Sequence, residues 1–224
     1  MTPANSFSES LLSRIRSAGI VATLTLDDPA DAVPVALALQ EGGVDCLELT
    51  LRTRSALQSL RQIRAELPDL LVGAGTILSV DQVKECLEAG AAFGVAPGTN
   101  PRVVAAAQSL GLPFAPGVCT PTDIEHALEC HCLLMKFFPS EPSGGLPYLR
   151  SIAAPFTHLG VQFIPLGGVD ASNAGNYLRE PFIPAIGGSW LAPRDLIQRK
   201  DWPAITANAR QAVAIVDLAR KPGL

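Results

Sequence analysis

IVATLTLDDPADAVPVALALQEGGVDCLELT, residues 20–50, is the stretch that decides the fold. Its ends, IVATLTL at 20–26 and VDCLELT at 44–50, are short apolar runs of strand length, and DPADAVPVALALQEGG between them carries apolar residues three and four apart. Asp28 before Pro29 suits the start of that helix, because its side chain can take a free backbone N–H and proline lacks only an N–H that would have no partner there. Strand, helix and strand in so short a span form a crossover unit that sets both strands parallel in one sheet.

The unit repeats outward. Further apolar runs fall at about 70–76 (LLVGAGT), 93–97 (FGVAP), 112–116 (LPFAP), 132–138 (CLLMKFF), 161–166 (VQFIPL) and 183–187 (IPAIG), which makes eight strand candidates. Helical periods fill the gaps, as in TRSALQSLRQIRAELP and SVDQVKECLEAG, with Ser79, Asn100 before Pro101 and Thr120 before Pro121 as N-caps. The segment from Pro193 to Ala219 reads as a last helix or helix pair ahead of the basic end RKPGL.

Eight such pairs, at roughly 25 residues each, predict a (β/α)8 TIM barrel as the economical fold. A doubly wound open sheet is the runner-up, but LTLDDPAD after the first strand has no glycine for a dinucleotide loop. The opening segment MTPANSFSESLLSRIRSAG reads as a short amphipathic helix with Leu11, Leu12 and Ile15 on one side. No linker interrupts the pattern, so residues 1–224 read as one barrel domain.

The chain is 48% apolar and 17% charged with a net charge of −4, which suits a single core and gives no basic stripe for nucleic acid or a membrane surface. No apolar run approaches the roughly 18 residues of a membrane span, and the opening residues lack a signal peptide's basic and apolar regions. A cytoplasmic protein with a small-molecule partner is the expectation. Cys46, Cys86, Cys119, Cys130 and Cys132 are an odd set, expected as small buried hydrophobes.

Reactive groups of a barrel sit at the C-terminal ends of its strands, and residues two apart share a face. In VDCLELT the leucines suit the helical side, which turns Glu48 inward with Cys46 and Thr50. In CLLMKFF the same parity aligns Leu134, Lys136 and Phe138, and in LLVGAGT the face of Leu70, Val72 and Ala74 ends at Thr76. Lys136, Glu48 and Thr76 are thereby expected at one mouth. The competing readings are a snorkelling lysine and a Glu48 paired to Arg52.

Burial disfavours a charged amine, and only a neutral amine attacks a ketone. Of the four lysines, Lys84, Lys200 and Lys221 fall on polar segments, leaving Lys136 as the candidate nucleophile. Arg52, with Thr76, is placed to grip the carboxylate of a 2-keto acid. Glycine pairs in PLGGVD at 165–170 and IGGSW at 186–190 follow strands seven and eight, where such barrels commonly bind phosphate, and Ser189 adds a hydroxyl. Cys130-His131-Cys132 does not read as a metal site, because adjacent strand residues diverge and no second cluster completes it. Cys119, at the end of the fifth strand, reads as a pocket-lining thiol without an adjoining histidine in sequence.

LELTLRT, GAGT, APG, MKFFPSE and IGGSW, in this order and spacing across nearly the whole chain, resemble the 2-keto-3-deoxy-6-phosphogluconate (KDPG) aldolases, a family shared with the 4-hydroxy-2-oxoglutarate (KHG) aldolases. The resemblance implies a class I carbon–carbon lyase of Entner–Doudoroff carbohydrate metabolism, a TIM barrel, a homotrimer, and no cofactor or metal. It also implies Lys136 as the Schiff-base lysine, Glu48 as the acid/base, and Arg52 and Thr76 as the pyruvate grip. Pro97 is implied to border the pocket, and Gly167, Gly168, Gly188 and Ser189 to bind phosphate. Phe138 is expected in the substrate pocket, and with Leu134 it is expected to keep water scarce around the amine.

Two departures stand out. Leu166 replaces the threonine that commonly precedes the first glycine pair, which leaves open the choice among KDPG, the galactonate-derived phosphate and KHG. IVATL lacks a proline common in relatives' first strand. From other classes, a phosphate-binding barrel isomerase and a non-catalytic sugar-phosphate sensor are the alternatives.

Overall fold

The structure is a computed structural model that describes residues 7–221. The first six residues of the opening segment and the last three of RKPGL lie outside the described residues. In chain order the elements are α1 (Glu9–Ala18), β1 (Ile20–Leu24), α2 (Ala32–Glu41), β2 (Cys46–Thr50), α3 (Ala56–Glu66), β3 (Leu71–Gly75), α4 (Val80–Glu88), β4 (Gly94–Val95) and α5 (Pro101–Leu110). There follow β5 (Phe114–Ala115), β6 (Gly117–Val118), α6 (Pro121–Glu129), β7 (Leu134–Phe137), α7 (Gly145–Ala153), β8 (Gln162–Pro165), α8 (Ala174–Leu178), β9 (Ile186–Gly188), α9 (Arg194–Gln198) and α10 (Trp202–Arg220).

Every strand pairing is parallel, in the order β5-β4-β3-β2-β1-β9 for one sheet and β6-β7-β8 for the other. Parallel strands joined through helices are buried on both faces, and β2, β3 and β7 are buried at every position. The sheets divide the apolar side chains into two clusters. Leu47, Leu49, Met135 and Phe137 join the helices in the larger one, while Val21, Cys46, Leu71, Phe93, Leu134 and Ile164 form a smaller one on the opposite, concave side. Ile15 of α1 and Phe7 belong to the smaller cluster, with Leu11 and Leu12 packed against it, so the amphipathic helix covers one end of that concavity.

The expected caps are present. Asp28 accepts from Ala30 N at the head of a 3-10 turn, Pro29–Asp31, that runs into α2, which itself starts at Ala32 without a side-chain cap; Asn100 accepts from Arg102 N, while Ser79 with Gln82 and Thr120 with Asp123 form reciprocal capping boxes. The C-terminal segment is a helix pair, α9 and α10.

Three strand expectations need correcting. The run at 112–116 is not one strand: β5 and β6 flank Pro116, which has no N–H for a ladder, and β6 lies past the expected end. β9 starts and ends later than the run at 183–187. In β3 the parity is reversed, because Leu70, Val72 and Ala74 join the helical cluster and Leu71 the concave one. Both faces of that strand are apolar or glycine, so alternation in sequence carried no information about direction.

Candidate functional site

Lys136 and Glu48 face each other across the concave side. β2 and β7 belong to different sheets, and on each strand the leucine, methionine and phenylalanine neighbours turn toward the helices, which leaves the charged residue pointing inward. Lys136 Nζ donates to Glu48 Oε1 at 2.8 Å, with the residues only 4% and 2% exposed. Glu48 therefore takes Lys136 as its partner, not Arg52. Such a pair is weak evidence for stability, since desolvating two charges costs about what their attraction returns. The other lysines lie elsewhere: Lys84 beside Asp81 on α4, Lys200 beside Asp31, and Lys221 exposed near the chain end.

The room for Glu48 is made on β3. A methyl group at Gly75 would lie 1.8 Å from Glu48 Oε1, so only glycine lets the carboxylate stand beside its partner strand. We expect Gly75→Ala to displace the carboxylate, to cost about 1–3 kcal/mol of stability by overpacking, and to lower kcat about 100-fold, as a shift of about 1 Å in a reacting group does. Thermal melts and steady-state kinetics on the same preparation check both.

Lys136 forms part of the wall of a cavity of about 760 Å³, with Arg52, Phe138, Gly167, Gly168, Gly188 and Ser189 also lining it. Phe138 holds its ring centroid 5.6 Å from Lys136 Nζ, and Leu134 lies in the concave cluster below. The chain after β7 is stitched to the first glycine pair: Ser140 N donates to Leu166 O at 2.7 Å and Glu141 N to Gly167 O at 2.9 Å. Gly168 has φ +83°, and a Cβ there would stand 2.6 Å from Glu141 Cβ, so both backbone and space call for glycine.

Two expected residues join through others. Arg52 Nε donates to Thr76 Oγ1 at 3.3 Å, although Thr76 reaches this point by a left-handed backbone at φ 61°, not by strand parity. Pro97 is off the cavity lining: its backbone packs where a Cβ on Gly117 would go, and Gly117 is the register partner of Lys136. Cys119 is also off the lining and sits within hydrogen-bonding distance of Ser143 Oγ. Cys46, Cys86 and Cys132 are buried, and burial pushes the Cys86 and Cys132 thiols up to about 12, in keeping with small hydrophobes, whereas Cys119 and Cys130 are only partly buried, contrary to that expectation. Among the described residues no cluster of three or more His, Cys, Asp or Glu is arranged to hold a metal ion.

The sequence reading missed Thr23, Thr25, Asp27, Thr53, Asp170, Trp190 and Arg194, all of which line the cavity. The signal for the first three was present in TLTLD, where polar residues alternate from Thr23 onward. Arg194 Nη2 donates to both Asp27 carboxylate oxygens, at 2.5 and 2.7 Å, and holds that carboxyl below the usual carboxylate range. Leu166, 5% exposed, closes the wall against Gly187.

Around one cavity stand a buried amine, a guanidinium and two glycine turns, with Glu48 bonded to the amine and Thr76 to the guanidinium without lining the cavity themselves. The family described as KDPG and KHG aldolase matches residues 11–208. A 2-dehydro-3-deoxy-phosphogluconate aldolase of Treponema pallidum is 42% identical over 205 residues, covering 92% of this chain and 95% of that protein. The KDPG aldolase of Legionella pneumophila, solved with pyruvate captured at low pH as a covalent carbinolamine intermediate, superposes with a TM-score of 0.85 at 33% identity, over 90% of this chain and 97% of that one. The 2-keto-3-deoxy-6-phosphogluconate aldolase of Zymomonas mobilis ZM4, solved with 3-phosphoglycerate, gives a TM-score of 0.85 at 39% identity, over 91% and 94%.

Proposed function

The chain belongs to the KDPG and KHG aldolase family, and on that premise we propose that it reversibly cleaves KDPG to pyruvate and glyceraldehyde 3-phosphate through a Schiff base on Lys136. The observation that carries the reading is the 2.8 Å contact of Lys136 with Glu48 on the concave side. A proton passed along that bond leaves a neutral amine beside the ketone. Its lone pair attacks C2, a proton shift from nitrogen to oxygen gives the carbinolamine, and Glu48 returns its proton to the departing hydroxyl, so that water leaves, the iminium forms and Glu48 is again a carboxylate.

Glu48, as carboxylate, then takes the proton of the C4 hydroxyl. The O–H electrons form the aldehyde carbonyl, the C3–C4 bond breaks, and its electron pair moves into the iminium to make an enamine. The aldehyde departs, C3 is protonated, and water hydrolyses the new iminium to release pyruvate and the Lys136 amine. The guanidinium of Arg52, steadied by Thr76, holds the keto acid's carboxylate. The glycine turns at Gly167–Gly168 and Gly188–Ser189 take the phosphate with backbone N–H groups and the Ser189 hydroxyl. Phe138 shields the amine from water, and Pro97 supports the strand beside it.

Arg52→Ala is expected to raise KM for the keto acid about 10- to 100-fold, the scale of a charge-assisted hydrogen bond, with a smaller change in kcat. Turnover should persist in excess chelator. Steady-state kcat/KM for KDPG, the galactonate-derived phosphate and KHG tests the substrate assignment. A preference for KHG over both phosphates would overturn the role given to the glycine turns. Leu166 on the cavity wall favours a second reading, with the galactonate-derived phosphate as the better substrate, and the same comparison decides between them.

The described residues form one (β/α)8 barrel domain whose fifth stave is β5 and β6 bent at Pro116. A backbone bond from Phe163 N to Phe182 O, 2.9 Å, supports closure between β8 and the segment before β9. The family resemblance supports a homotrimer in the cytoplasm.

A further inference from the structure

β1 carries a hydroxyl that neither the fold nor the mechanism above uses. Val21 points into the concave cluster, and Thr23, two residues on, shares that face and lines the cavity. Thr23 is only half-buried, yet its Oγ1 is sealed from solvent and has no hydrogen-bond partner among the described residues. The next hydroxyl on the strand behaves differently: Thr25 and Thr50 bond each other at 2.8 Å, and Thr50 Oγ1 also donates to Leu24 O.

An unpaired buried hydroxyl destabilises a fold, and valine would fill the same space without that penalty. A turn of about 120° in χ1 exchanges the hydroxyl with the methyl group, a move open to threonine in a strand. It would deliver the hydroxyl to the cavity.

The ladders fix what it would meet there. Thr23 is the Cα register partner of Glu48 on one side, and Ala22 that of Gly188 on the other. Around the concave side, Thr23 therefore lies between the carboxylate that serves C4 and the glycine turn that takes the C6 phosphate. The carbon between those two is C5.

We propose that Thr23 is a specificity-determining residue that hydrogen-bonds the C5 hydroxyl of a phosphorylated 2-keto sugar acid. The assignment rests on the aldolase reading above. In the condensation direction, the same contact selects an aldehyde with a hydroxyl on the carbon next to its carbonyl.

The test condenses pyruvate with glyceraldehyde 3-phosphate and with its 2-deoxy analogue, 3-phosphooxypropanal, using wild type, Thr23→Val and Thr23→Ser. The ratio of kcat/KM for the hydroxylated over the deoxy aldehyde is expected to fall about tenfold in Thr23→Val, the scale of one neutral hydrogen bond, and to recover largely in Thr23→Ser. The Tm of Thr23→Val should equal or exceed that of wild type, because the orphaned hydroxyl is gone. An unchanged ratio in a wild-type background that turns over both aldehydes overturns the proposal and leaves the aldolase reading intact. Equal losses on both aldehydes with a lowered Tm would mark Thr23 as structural and also overturn it. Failure of wild type to condense pyruvate with either aldehyde overturns both.

Discussion

Lys136→Met loses at least about four orders of magnitude in kcat, the scale seen when a covalent nucleophile is removed. Methionine keeps the length and apolar body of the side chain, so Met135, Phe137 and Leu134 retain their packing. It cannot form an imine. A second effect separates this lysine from a surface one: Glu48, 2% exposed, is left without its cation. Breaking a buried pair by removing one member costs about 3–5 kcal/mol, whereas replacing both members is close to neutral. The double variant Lys136→Met/Glu48→Gln is therefore expected to regain most of the stability lost in the single one while staying inactive. Chemical denaturation of wild type, both single variants and the double variant closes that cycle. Full additivity of the two losses would contradict the pairing.

Glu48→Gln lowers kcat about 10³-fold, within the usual reach of general acid–base catalysis, yet should leave imine formation possible. The glutamine amide oxygen still accepts from Lys136 but does not take the C4 hydroxyl proton. Pyruvate is thus expected to be trapped on Lys136 in this variant to the wild-type stoichiometry, more slowly, while cleavage is crippled. Loss of trapping together with cleavage would mean that Glu48 acts mainly by holding the amine. Gly75→Ala, which moves the same carboxylate by a steric route, should resemble Glu48→Gln more than Lys136→Met.

The parallel α/β order was legible because each strand–helix unit carries its own punctuation. Asp28, Ser79, Asn100 and Thr120 mark helix starts that local side-chain geometry fixes without tertiary help. The inward direction of Glu48 and Lys136 was legible for a related reason: bulky leucines, methionine and phenylalanine occupy the alternate positions and demand the thicker helical layer. Where a strand has no such contrast, direction is hidden. β3 offers Leu70, Val72 and Ala74 against Leu71, Gly73 and Gly75, and the choice is made by its neighbours, since a methyl at Gly73 would strike Phe93 and one at Gly75 would strike Glu48. Thr76 reaches Arg52 only through its left-handed backbone, which no side-chain pattern announces. Asp27 and Arg194 are 167 positions apart and meet at the cavity rim because β9 lies beside β1.

The central claim is that Lys136 is the amine that bonds the keto acid. Reduction with sodium borohydride in the presence of pyruvate, followed by peptide mass spectrometry, reads that bond directly. The account predicts a stable pyruvate-derived adduct on the peptide carrying Lys136, and none on those carrying Lys84, Lys200 or Lys221. An unmodified Lys136 peptide from enzyme that is still turning over its keto acid would contradict it.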